Sequence, residues 1–156
     1  MSDRDTEGNG MSTTDLAESE VKGLVDDWYQ KLDVHAPFEA VVPLVASSGL
    51  EMYWPEGPTF GVDEFKGWYD RVTHTFFDEV HTMKELVITL RGGQADVKLV
   101  VNWQARVWNP PDAKSKWLGM DARQTWVVAR SDDGTRAVIQ KYVVDGLDPM
   151  PGSSQL

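Results

Sequence analysis

From Ala95 to Trp108 the chain reads ADVKLVVNWQARVW, and this alternation limits the fold more than any other feature. Ala95, Val97, Leu99, Val101, Trp103, Ala105 and Val107 share one phase, with Asp96, Lys98, Asn102, Gln104 and Arg106 in the other. Successive side chains of a strand point to opposite faces, so a period of two predicts a strand buried on one side and wet on the other. The next run repeats the pattern, with Met120, Ala122, Gln124, Trp126 and Val128 in one phase and Asp121, Arg123 and Thr125 in the other. Strands are expected over residues 81–90, 95–108, 117–130 and 135–145. Gly92-Gly93 and Asp133-Gly134 supply tight hairpin turns, and NPPDAKS a longer connection.

Before this region the period is helical. Val21, Leu24, Trp28 and Leu32 recur at three- and four-residue steps, with Asp15 and Glu18 as a capping pair and Asp33 at the end. Phe38, Val41, Val42 and Val45 mark a short second helix, LEMYW a short strand and PEGP its turn. A third helix starts near Asp63 with the stripe Phe65, Trp68, Tyr69, Val72 and Phe76. Helices followed by a meander of strands define an α+β fold, three N-terminal helices packed in the concave face of a curved, mainly antiparallel sheet. Residues 1–13 and 149–156 read as polar tails around one domain at 14–148.

Composition excludes several functions. The chain has 156 residues, no Cys and a net charge of −10, so it offers no disulfide framework, thiol nucleophile or basic stripe for nucleic acid. No apolar run approaches a membrane span, and the start lacks a signal peptide's hydrophobic region, so a cytoplasmic protein with no membrane partner is expected. Three histidines without an HxH or HExxH arrangement give no metal-ligand cluster, and no phosphate loop or G-x-S-x-G elbow is present. No metal or cofactor is expected.

The helix-one close WYQKLD, the strand and turn LEMYWPEGPTFG, the third helix VDEFKGWYDRV, the histidine opening the next strand and the final VIQKYVVD together resemble the nuclear transport factor 2-like superfamily over about residues 14–148. That superfamily includes SnoaL-like, ketosteroid isomerase-like and scytalone dehydratase-like proteins. The resemblance implies a cone-shaped half-barrel, usually dimeric, with an apolar pocket between helices and sheet. Its members include isomerases, cyclases, dehydratases, epoxide hydrolases and non-catalytic binders. Two departures are visible: Trp54 stands where the steroid isomerases carry their catalytic aspartate, and Trp28 where they carry a helix-one tyrosine.

The stretch VTHTFFDEVH holds two histidines. His74 falls opposite the apolar stripe of its helix, beside Asp70, and reads as solvated. Plain alternation turns His81 outward, out of phase with Leu86, Ile88 and Leu90, unless a bulge near Lys84-Glu85 reverses it. Inside, His81 is the expected acid–base group, since imidazole titrates near neutrality and scytalone dehydratase-like members use a histidine in a similar place. Asp145 and Tyr53 complete the expected catalytic set. Trp28, Tyr29, Trp54, Trp68, Trp103, Gln124 and Trp126 are the expected ligand contacts, each alternatively a core residue. The buried amide of Gln124 either satisfies backbone or orients a ligand carbonyl. The function expected is a cofactor-independent acid–base enzyme acting on a small apolar, ring-containing molecule; the alternative is a non-catalytic binding or dimerisation module. Val100 and Trp108 interrupt the polar phase of their strand and place a homodimer contact on the outer sheet face.

Overall fold

A computed structural model describes residues 15–156; the N-terminal tail expected at 1–13 lies outside the described residues. Three helices, α1 (Glu18–Asp33), α2 (Phe38–Val41) and α3 (Gly61–Thr75), pack against six strands. The strands are β1 (Glu51–Trp54), β2 (Gly57–Phe60), β3 (Phe76–Arg91), β4 (Gln94–Val107), β5 (Lys116–Arg130) and β6 (Ala137–Pro149). Their order is β2-β1-β6-β5-β4-β3, antiparallel except where β1 lies parallel to β6.

The apolar stripes point where their periods require. Helix α1 buries Val21, Leu24, Val25, Trp28, Tyr29 and Leu32 against the sheet's inner face, and α3 buries Phe65, Trp68 and Tyr69. Trp28 is fully buried, its ring 5.8 Å from Phe65 and 5.5 Å from Tyr142. Side chains of this size stabilise by about 1.5–3 kcal/mol each on burial, so the helix–sheet seam holds the domain together.

Several boundaries differ from the sequence expectation. Helix α1 is capped two residues later than Asp15 and Glu18 suggest: Ala17 is its N-cap, and Glu20 accepts the Ala17 N–H at 3.1 Å. The second half of PEGP already belongs to a strand, β2, because Gly57 (φ 139°) lets the chain fold back on β1. The final residues are also fastened rather than loose. Met150 N–H donates to the Gly119 carbonyl (2.9 Å) and Ser154 N–H to that of Trp117 (3.0 Å).

Bulges decide the phases. In β3 an extra residue at Lys84 separates the pairs Met83–Val101 and Glu85–Val100, so His81 and Met83 face inward together with Leu86 and Ile88. A second bulge at Asp78–Glu79 has Asp78 at φ 52°. In β6 the register shifts between Val127–Lys141 and Val128–Ile139, leaving Gln140 as the extra residue, and again at Asp145. The first of these shifts turns Tyr142 and Val144 inward and Lys141 and Val143 outward, against simple alternation.

Candidate functional site

Between α3, the end of α1 and the sheet's inner face lies a cavity of about 400 Å³, a size that suits a small organic ligand. Trp54, Trp68, Phe76, Trp103, Val101 and Leu147 form much of its apolar wall. Trp54 and Trp68 stack face to face, 3.6 Å between centroids and 9° between planes, with the Trp54 indole N–H donated to Thr59 Oγ1 at 3.0 Å. That stack fixes one flat side of the space. Leu156, at the chain's end, also borders it.

His81 lines this cavity with its side chain only 9% exposed. Its ring Nδ1 lies 2.6 Å from Asp33 Oδ1, and Asp33 Oδ2 accepts the His81 backbone N–H at 3.2 Å. An ionised carboxylate only accepts, so Nδ1 carries the proton facing Asp33, and in the neutral ring the lone pair lies on Nε2. Asp33 is the last residue of α1. A carboxylate there faces the helix's negative end, an unfavourable placement that the grip on His81 compensates. That misplaced charge in WYQKLD was the available sequence signal for Asp33. The pairing itself spans 48 residues and was not legible.

A second histidine–carboxylate pair sits beside the first. The Asp78–Glu79 bulge brings Glu79 to the cavity, where its side chain is 9% exposed. One carboxylate oxygen contacts His35 Nε2, and the other accepts the Trp103 indole N–H at 2.9 Å. Tyr69 also borders the cavity and donates its hydroxyl to the Ala36 carbonyl. Burial, and then the negative charge of Glu79 and Asp70, push its phenol up to about 12. It stays a protonated donor near neutral pH.

Gln124 is buried to 6% exposure within a ring of donors. Its Oε1 accepts from Tyr29 Oη at 2.7 Å and Trp126 Nε1 at 3.0 Å. Two donors on the oxygen fix the amide orientation and turn the NH₂ towards Tyr142. Burial holds the Tyr29 phenol well above its usual range and pushes that of Tyr142 up to about 12.

The structure sorts the expected site residues into three groups. His81, Trp54, Trp68, Trp103 and Gln124 line the cavity. Trp28 and Trp126 are fully buried core, and Tyr29 lies behind the wall with its ring 4.8 Å from that of His81. Tyr53 and Asp145 stand elsewhere. On β1 the inward phase belongs to Met52 and Trp54, so Tyr53 points out, donating to Glu51 at 2.7 Å under the Lys141 ammonium. Asp145 is exposed after the phase change in β6 and accepts from Thr125 at 2.7 Å. Asp33, His35, Glu56, Tyr69, Glu79 and Tyr142 are polar groups of the site that sequence reasoning did not select.

This α+β cone is similar in fold to solved structures described as cystatin-like and as nuclear transport factor 2-like. Solved structures with this fold include a provisionally named scytalone dehydratase from Novosphingobium aromaticivorans, at TM-score 0.70 and 16% identity over 88% of this chain and 87% of that one. A hexachlorocyclohexane dehydrochlorinase, LinA-type3 from Novosphingobium barchaimii, matches at TM-score 0.68 and 13% identity over 88% and 92%. A nuclear transport factor 2-like protein from Salmonella enterica serovar Typhimurium matches at 0.67 and 14% over 88% and 91%. No protein-family model matches the chain, and no curated protein matches it in sequence.

Proposed function

We propose that this protein is a cofactor-independent acid–base enzyme that starts an elimination or isomerisation by removing a proton from carbon in a small, flat, mostly apolar molecule. The observation that carries this reading is the His81–Asp33 pair: a ring nitrogen fixed at 2.6 Å on a carboxylate, on a histidine that lines a largely apolar cavity. In this reading His81 Nε2 takes the proton, and Asp33 holds the tautomer and offsets the charge that develops on the ring. Gln124 lines the same space, and in this reading its amide N–H groups supply donors for a carbonyl oxygen that gains negative charge as the proton leaves. The stacked Trp54 and Trp68 hold a ring against the base. Two neighbours of the same fold bear the names of elimination enzymes, a dehydratase and a dehydrochlorinase, which supports the elimination branch.

A ketone with no leaving group isolates the base. β-Tetralone incubated in D₂O should exchange its α-protons in the presence of the protein, followed by NMR, and His81→Gln should lower that rate roughly 10²-fold or more while the fold persists. Binding of the ketone without any exchange above buffer would sink the catalytic reading and leave a non-catalytic binder.

A further inference from the structure

We infer that the cavity takes a flat, largely apolar molecule bearing a hydrogen-bond donor, an amine or a hydroxyl, seated on Glu79, and that it rejects anionic ligands; this rests on the reading of the cavity as the ligand site. Glu79 takes no part in the proton transfer assigned to His81. Its place on the wall nevertheless comes from a dedicated bulge, with Asp78 in the left-handed region, where a non-glycine residue is strained. One oxygen is held by His35 and the other by Trp103, so the carboxylate is fixed before any ligand arrives. Each oxygen keeps a second lone pair, and a donor from the ligand suits it.

The remaining charges point the same way. Among the described residues, those lining the cavity include the exposed Glu56 as well as Glu79 and no Lys or Arg. With Asp33 behind His81, three carboxylates stand against two imidazoles, so the site is net negative whether or not both imidazoles carry a proton. Low-dielectric walls magnify that field. A ligand carboxylate or phosphate would meet it unpaired. A protonated amine would gain from it, and also from the aromatic faces of Trp54, Trp68 and Trp103. The buried Gln124 lines the cavity with its amide oxygen already taken by Tyr29 and Trp126, so its NH₂ is the donor it can offer to an oxygen elsewhere on the same molecule.

Four probes on one scaffold test this: tetralin itself and its amine, alcohol and carboxylate derivatives, with affinity read by tryptophan fluorescence. The amine should bind about tenfold or more tightly than the carboxylate, and tetralin more weakly than the amine. Glu79→Gln keeps the shape and removes the charge, so it should bring the amine-to-carboxylate ratio towards one, with a thermal melt confirming the fold. Raised salt should shrink the same ratio in the unaltered protein, which tests the field without any substitution. An alcohol that also beats tetralin identifies donor recognition in general; an alcohol no better than tetralin assigns the preference to the cation. A carboxylate binding as tightly as the amine, or a ratio unmoved by Glu79→Gln, overturns the inference. Ketone exchange that depends on His81 reports separately on the catalytic reading, so either can fail alone.

Discussion

At the scale of single residues, the site depends on partners that fix orientation. Asp33→Asn replaces an acceptor that forces the proton onto Nδ1 with an amide that can also donate to it, so both tautomers become available. Nitrogen NMR of His81 should show the mixture, and ketone exchange should fall ~10²-fold or more with the fold retained. Gln124→Leu has a different signature. It strands the Tyr29 hydroxyl and the Trp126 N–H, both buried, and should cost at least ~2 kcal/mol by denaturant melts. Tyr142 is buried among the same groups, and its phenol, raised from 10 to about 12, gives stability a pH dependence. The unfolded chain loses that proton first, so the contribution is present below pH 10 and is lost as pH rises towards 12. Over that range Tyr142→Phe should lose about 2 to 3 kcal/mol less stability than the unaltered protein, measured by urea melts at each pH.

At the scale of elements, one inserted residue decides which face of β3 is chemical. Lys84 is exposed, and its pair with Asp121 (2.8 Å) is of the surface kind, which solvent screens and which contributes little to stability. Lys84→Ala should therefore leave the thermal midpoint nearly unchanged. Deleting Lys84 removes the bulge and restores strict alternation, which would turn either His81 and Met83 or Leu86 and Ile88 to the wrong face. The deletion should lower the midpoint far more than Lys84→Ala and abolish ketone exchange; equal melting of the two variants would show that the bulge is not what aims His81. This element also shows what a sequence carries. The conflict between His81 and the Leu86, Ile88, Leu90 phase was visible in the letters, and so was its remedy, because a bulge is a local event. The bulge at Gln140 had a weaker signal, the single Lys141 that interrupts the apolar phase of Ala137, Ile139 and Val143. Simple alternation puts Asp145 in that same phase.

At the scale of the whole molecule, the outer sheet face carries Phe77, Val80, Val87 and a 52% exposed Trp108. We propose that a second copy covers it, which predicts a mass of twice 17.5 kDa by light scattering at micromolar concentration, and a monomer after Val80→Lys with Trp108→Lys. The fold class was legible because it follows from periods of 3.6 and two, properties of neighbouring residues that hydrophobic burial converts directly into helices and a one-sided sheet. Gln124, Trp54, Trp68 and Trp103 line the cavity as their phases allowed, and His81 does so through the bulge at Lys84. Only the tertiary structure decided who their partners are. Asp33 meets His81, His35 meets Glu79, and Tyr29 meets Gln124 across 48, 44 and 95 residues, and neither propensity nor periodicity acts over such separations. The sequence determined which surfaces must be buried; which polar groups meet inside them was set by bulges and helix ends, whose register depends on the packed whole.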